Sequence, residues 1–149
     1  MKKIAEIIAT TFYVGYAPIV PATFGAAFGA IVFWFFVPFS FVTQFLVTVV
    51  LIVTAVITSG EAEKKYGKDA RCIVIDEVAG MFVSLCFLPR SAMVFLAAFV
   101  AFRVFDVLKP FPVNRLQKLP GGWGVVADDV FAGIYTNVLI RILIAAGGT

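Results

Sequence analysis

Residues 102–112 read FRVFDVLKPFP, an apolar segment whose only charged residues are Arg103, Asp106 and Lys109. On a helix, residues three apart share one face, so these three side chains fall within about 120° of one another. The prolines that follow predict that the helix ends at Lys109, because a residue before proline is disfavoured in the α region. Charged residues in so apolar a segment usually face a partner or a water-filled cavity. A purely structural ion pair between Arg103 and Asp106 is the alternative interpretation.

The rest of the chain is equally apolar. Of its 149 residues, 62% are hydrophobic and 14% are charged, and no charged residue occurs between Ile7 and Ser59. This composition is typical of an integral membrane protein and not of a soluble globular domain. The net charge of +3 is too small to indicate a nucleic-acid partner. We therefore predict one membrane domain over residues 1–149.

We predict an all-α fold, an integral membrane helical bundle with four to five membrane segments plus a short N-terminal amphipathic helix. The amphipathic helix covers residues 3–16, and a Pro-rich loop follows over residues 16–25. The predicted apolar segments cover residues 25–37, 41–59, 73–88, 92–108 and 128–146. Whether residues 73–88 cross the membrane or enter and leave on one side stays open.

The lysines and arginines predict the orientation of the chain. They form three groups separated by pairs of apolar segments, so all three groups can lie on the cytoplasmic side with Arg90 outside. In this topology the polar features of the sequence meet at one membrane face. They are the loop 16–25, the pair Asp76–Glu77, the segment 102–112 and the residues 121–129.

Five of the nine acidic residues adjoin apolar segments: Asp76, Glu77, Asp106, Asp128 and Asp129. Carboxylates grouped in such a setting repel one another unless a cation balances them. The chain has no histidine and no CxxC pair, and oxygen donors alone favour Mg²⁺, or Mn²⁺ in its place, over zinc. The simpler alternative is that the first acid of each adjacent pair caps a helix and the second favours the helix dipole.

Cations beside such a metal site indicate a phosphate ester as the ligand. Arg103 and Lys109 are the candidates to hold its non-bridging oxygens, while the metal polarises the phosphoryl group. The glycines of residues 121–124 allow close approach of the backbone to an anion. The candidates for the catalytic base are Asp76, Glu77, Asp106 and Asp129.

Several phosphatase classes are excluded by what the sequence lacks. Without histidine there can be no phosphohistidine intermediate, and neither Cys72 nor Cys86 begins a Cys-x5-Arg motif. No Asp-x-Asp pair is present either. The two cysteines are predicted to be reduced, buried thiols.

Four segments resemble the phosphatidylglycerophosphatase A family, in the family's order. They are residues 18–25 (PIVPATFG), 76–81 (DEVAGM), 102–112 (FRVFDVLKPFP) and 121–133 (GGWGVVADDVFAG). The resemblance implies a Mg²⁺-dependent, all-helical, multi-pass enzyme of the bacterial inner membrane, with its active site at the cytoplasmic face. Its implied reaction is hydrolysis of phosphatidylglycerophosphate to phosphatidylglycerol and phosphate.

The first of these segments departs from the family pattern. Ala22 stands where the family usually has glycine, and Ala26 stands where serine is common. Thr23 then carries the remaining hydroxyl of this loop, and we expect it to contact the phosphate or a water molecule.

Two other functions use the same residues. A small membrane cation transporter subunit would use the carboxylates as an ion pathway and would distribute them along the depth of the membrane. A membrane scaffold would use them only as helix caps and ion pairs. A phosphatase instead requires the acids to meet at one face.

Overall fold

The fold is all helical, as predicted. The computed structural model describes residues 2–68 and 70–147, with the side chain of Lys2 outside the described part, and no strand occurs within these ranges. The helices are α1 (Lys2–Ala9), α2 (Pro21–Phe36), α3 (Phe41–Tyr66), α4 (Ile75–Leu85), α5 (Ala92–Leu108), α6 (Val113–Leu116) and α7 (Gly122–Gly147), and a 3₁₀ turn covers Val14–Tyr16.

Two helices of the described ranges, α3 and α7, are long and apolar enough to cross a membrane. Each has 26 residues, which rise about 39 Å and exceed the ~30 Å of a bilayer's hydrocarbon core. Helix α2 is as apolar but has only 16 residues. The finer prediction of four to five membrane segments therefore goes beyond what length and composition establish.

Four predicted boundaries are wrong. Helix α2 begins at Pro21, inside the predicted loop 16–25, because proline fits the first turn of a helix. Helix α1 ends at Ala9 and not at residue 16, because residues 11–13 adopt positive φ angles that no helix continues through. Helix α3 continues to Tyr66, seven residues beyond the predicted end of its apolar segment at Ser59. Helix α7 begins at Gly122, six residues before the predicted start at Asp128.

Helix α4 is the buried centre of the bundle. All its residues except Val83 are buried, and it packs against α2, α3, α5 and α7. Its 11 residues rise about 16 Å, roughly half of a hydrocarbon core. The chain then reverses direction and returns through α5.

Polar side chains of the two longest helices satisfy the backbone where α4 ends. The N–H of Phe87 donates to Gln44 Oε1 at 2.8 Å, and Asn137 Nδ2 donates to the carbonyls of Ser84 and Cys86 at 3.0 and 2.9 Å. Arg141 Nη2 lies 3.3 Å from the carbonyl of Phe87. Irregular backbone at membrane depth requires such partners, because no water is there to replace them.

The opposite end of the bundle collects the polar segments, as predicted from the arginines and lysines. There the N–H of Val74, just before α4, donates to the carbonyl of Ala9 at 2.9 Å. Glu6 of α1 accepts hydrogen bonds from Lys65 and Tyr66 at the end of α3, and these bonds lower the pKa of Glu6. Arg90 lies at the other end, 4.3 Å from the ring of Phe39.

Gly122 allows α7 to start in direct contact with α3. A Cβ atom at this position would lie 1.8 Å from the carbonyl oxygen of Val56, so no side chain fits without moving a helix. We expect Gly122→Ala to lower the free energy of unfolding by about 1–3 kcal/mol through overpacking. Thermal melting in detergent micelles measures this loss.

Gly147→Ala is the matched control for this prediction, because a Cβ atom there meets nothing within 4 Å. It should melt like the wild type. Equal melting of the Gly122→Ala variant and this control would contradict the close approach of α7 to α3.

Candidate active site

Two glycines bring helices α4 and α7 close together. A Cβ atom on Gly80 would lie 2.7 Å from the carbonyl oxygen of Asp129, and one on Gly133 would lie 2.4 Å from the carbonyl oxygen of Gly80. The backbones therefore touch at this level, as small residues permit. The contact sets the second turn of α7 beside the first turn of α4.

Three carboxyl groups meet at that contact. One oxygen each from Asp76, Glu77 and Asp129 lies within 4.8 Å of the others, and all three side chains are buried. Among the residues that the structure describes, Asp76 Oδ1 and Glu77 Oε2 find no hydrogen-bond partner. Three buried carboxylates at this distance repel strongly, so the charged cluster needs a cation.

The cluster fits a hard divalent cation. Its donors are all carboxylate oxygens, which Mg²⁺ prefers, and no histidine exists in the chain to attract zinc. The two carboxyl oxygens without partners are the atoms that a metal ion would satisfy. The position of Asp76 and Glu77 in the first turn of α4 adds the positive end of a helix dipole to the same place.

Asp106 and Arg103 adjoin this cluster from α5. The carboxyl of Asp106 is within hydrogen-bonding reach of the carboxyl of Asp129, and Arg103 is near enough to stabilise the charge of Glu77. Arg103 Nη1 donates to Asp106 Oδ2 at 2.6 Å. The ion pair considered for these two residues is therefore present, and it lies at the edge of the acid cluster.

A polar cavity of about 290 Å³ opens onto Asp76, Glu77 and Arg103. Its other walls come from residues 20–22 at the start of α2 and from Arg71 in the loop before α4. Arg71 is exposed. The cavity therefore joins two carboxylates to two guanidinium groups, a combination suited to a metal ion and a phosphate together.

Lys109 is paired with Asp128, an interaction that the sequence did not predict. Its Nζ donates to Asp128 Oδ2 at 2.7 Å, and the Asp128 side chain is 5% exposed. Lys109 adopts φ 42° at the end of α5, where the following proline stops the helix, and this bend turns it toward α7. Burial opposes the charge, but the hydrogen bond to Asp128 raises the pKa of Lys109.

The structure does not place Thr23 in the polar cavity. Thr23 lines a neighbouring apolar groove together with Arg103, so the expected contact of its hydroxyl with phosphate has no support from this geometry.

The capping alternative fails for the second acid pair. Asp128 and Asp129 lie in the second turn of α7, and no side chain caps the start of α4.

Sequence reasoning missed the glycine contact and Arg71. Of the predicted anion-binding glycines, Gly122 and Gly124 belong instead to the first turn of α7, where Gly122 packs on α3. In the sequence, Arg71 counts only as one of the cations that predict the orientation of the chain in the membrane. Its closeness to Asp76 in sequence was the signal that could have placed it at the site.

The comparisons with known proteins agree with one another. The model of the family described as phosphatidylglycerophosphatase A matches residues 7–144. A phosphatidylglycerophosphatase A of Escherichia coli is 36% identical over 144 residues, which cover 93% of this chain and 82% of that protein. One of Haemophilus influenzae is 45% identical over 74 residues, which cover 48% of this chain and 45% of that protein.

A further relative carries a different name. A Bacteroides thetaiotaomicron protein with the provisional name phosphatidylinositol-3-phosphatase is 33% identical over 144 residues, covering 91% of each chain. No solved structure matches the chain.

Proposed function

Since the chain belongs to the phosphatidylglycerophosphatase A family and is a phosphatase, we propose that it is a Mg²⁺-dependent hydrolase of phosphatidylglycerophosphate. Its products would be phosphatidylglycerol and phosphate. The observation that carries the proposal is the buried cluster of Asp76, Glu77 and Asp129 beside a cavity that Arg103 also lines. Mn²⁺ is the expected substitute metal, because it accepts the same oxygen donors.

In this proposal Asp76, Glu77 and Asp129 hold the metal. The bound ion supplies charge neutralisation at the phosphoryl oxygens and a more acidic water. Asp128 was a further candidate ligand, but its bond to Lys109 favours a supporting role beside the cluster.

The remaining residues orient the phosphate and move protons. Arg103 offers a planar, permanently charged group that can bind two phosphate oxygens at once. A new P–O bond forms from water while the P–O bond to the glycerol oxygen breaks. The proton of the attacking water passes to Asp106, the glycerol oxygen takes up one proton from bulk water, and Asp106 returns its proton to bulk water afterwards. Asp106 is the proposed base for the attacking water, since its side chain is 14% exposed and adjoins buried Asp129.

We further propose a single, multi-pass domain in the bacterial inner membrane, with the site at the cytoplasmic face. The lengths of α3 and α7 support membrane insertion, and the apolar surfaces of α2 and α5 favour four to five segments in all. The lysines and arginines near the site end support a cytoplasmic location by the positive-inside rule. The partners that we propose are the phospholipid substrate and the bilayer, with no nucleic-acid partner.

A phosphatidylinositol phosphate is the second candidate substrate. The Bacteroides relative carries that name, and both lipids present a phosphate monoester to the same metal and arginine. Parallel assays with the two lipids decide between them. Faster hydrolysis of the inositol lipid would make that lipid the substrate in place of phosphatidylglycerophosphate.

We expect phosphate release to require a divalent metal. Purified protein in mixed micelles with phosphatidylglycerophosphate should be active with Mg²⁺ or Mn²⁺ and inactive in excess EDTA, because the carboxylates then have no cation to balance them. Re-addition of Mg²⁺ should restore activity. Full turnover in EDTA would rule out the carboxylate–metal mechanism, and Ca²⁺ serves as a control for simple charge screening.

A further inference from the structure

An open apolar seam runs between α2 and α5. Near the site end it forms a groove of about 630 Å³ lined by Val20, Thr23, Phe99 and Arg103 among others. Farther along, a second groove of about 430 Å³ includes Ala27 and again Phe99. Because Phe99 lines both, the two grooves are parts of one seam.

The seam is continuous with the polar cavity. Val20 and Arg103 line the near groove and also the cavity that contains Asp76 and Glu77. The Arg103 guanidinium therefore stands at the junction between a polar compartment and an apolar one. A ligand that fits both compartments has an anionic head and a hydrocarbon tail.

The length of the seam fits a lipid chain. From Thr23 to Phe35, the α2 side of the seam rises about 18 Å, which exceeds the ~15 Å hydrocarbon depth of one leaflet. Small side chains at Ala27 and Ala30 keep the far groove hollow, while exposed Ile31 and Leu96 form its rims. An ordinary lipid-facing helix surface has no such recess ending at an arginine.

We propose that this seam holds one acyl chain of the phospholipid substrate while its phosphate occupies the polar cavity. The inference rests on the proposed function, since it assigns the tail of the same substrate. A hydrocarbon chain gains little affinity on leaving surrounding lipid, so the groove acts by positioning. It sets the phosphate at a fixed distance from Arg103 and the carboxylates.

A bulky side chain in the far groove tests the proposal. Ala27→Phe should lower kcat/KM for dioleoyl phosphatidylglycerophosphate in detergent micelles by about ten- to a hundred-fold, because a displaced chain misplaces the phosphate. The dihexanoyl substrate has tails too short to reach the far groove and should be hydrolysed as fast as by the wild type. Ala145→Phe, the same change on an exposed part of α7, should alter neither rate.

A second variant avoids any effect on folding. Ile31 is 56% exposed on the groove rim, so Ile31→Trp should fill the groove without disturbing the core and should give the same selective loss. Wild-type rates on both substrates for both Ala27→Phe and Ile31→Trp would overturn the proposal. Bulk membrane lipid or a second copy of the chain would then cover the seam. Failure of the wild type on both substrates would instead overturn the proposed function.

Discussion

The Asp129→Asn variant is expected to fold as well as the wild type and to lose about 10²–10³-fold in turnover, since the metal that Asp129 would hold is worth several kcal/mol to the transition state. Carboxyl oxygens of Asp76, Glu77 and Asp129 lie within 4.8 Å of one another, and Asp106 also adjoins Asp129. Asparagine keeps its shape and removes one negative charge from a buried cluster. The melting temperature should therefore stay the same or rise, because repulsion among the carboxylates falls.

Two measurements separate this loss from a general effect. Mn²⁺ binding followed by electron paramagnetic resonance should weaken in Asp129→Asn, which a merely structural aspartate would not cause. Glu61→Gln is the matched control, since Glu61 is a half-buried acid on α3 that pairs with Lys64, and it should keep full activity. Wild-type turnover of Asp129→Asn would remove this residue from the mechanism.

The end of α5 and the meeting of the polar segments at one end of the bundle were predictable from the sequence. Proline after Lys109 predicts where α5 stops, and the distribution of lysines and arginines predicts which loops share a face. The proline acts on the residue directly before it, and the positive-inside rule sums charges over whole loops. Neither prediction depends much on how the helices pack.

The start of α7 was not predictable in the same way. Glycines at positions 122 and 124 look like a loop because glycine is a poor helix former in isolation. Contact with the α3 carbonyl of Val56 selects glycine here, and only the assembled fold contains that contact. The same reason hides the role of Gly80 and Gly133, which set the spacing of the acid cluster.

The sequence also did not predict which charged residues pair with each other between helices. Lys109 and Asp128 are 19 residues apart and lie on different elements, so their bond depends on the αL turn at Lys109. Arg103 and Asp106 are three apart on one helix, and their pairing was considered from the start. Interactions within one helix can be predicted from spacing, while those between helices need the packing.

The pairing of Lys109 changes what its removal should do. Lys109→Met removes the cation that bonds to buried Asp128. We expect this change to cost about 3 kcal/mol of unfolding free energy, the lower end for a broken buried pair, since Lys109 is 27% exposed. Thermal melting in micelles measures this cost. The double variant Lys109→Met/Asp128→Asn removes both charges and should recover most of it.

Activity of the double variant decides what Lys109 does. If Lys109 also contacts the substrate phosphate, the refolded double variant still lacks a charge-assisted hydrogen bond of about 1.5–3 kcal/mol, and kcat/KM falls roughly ten- to a hundred-fold. We expect this result, because Asp106 and Asp129 also lie near enough to Lys109 to stabilise its charge. Asp128→Asn alone keeps the lysine and is the control. A double variant with wild-type kinetics would make the Lys109–Asp128 pair a support of the fold and leave Arg103 as the cation that holds the phosphate.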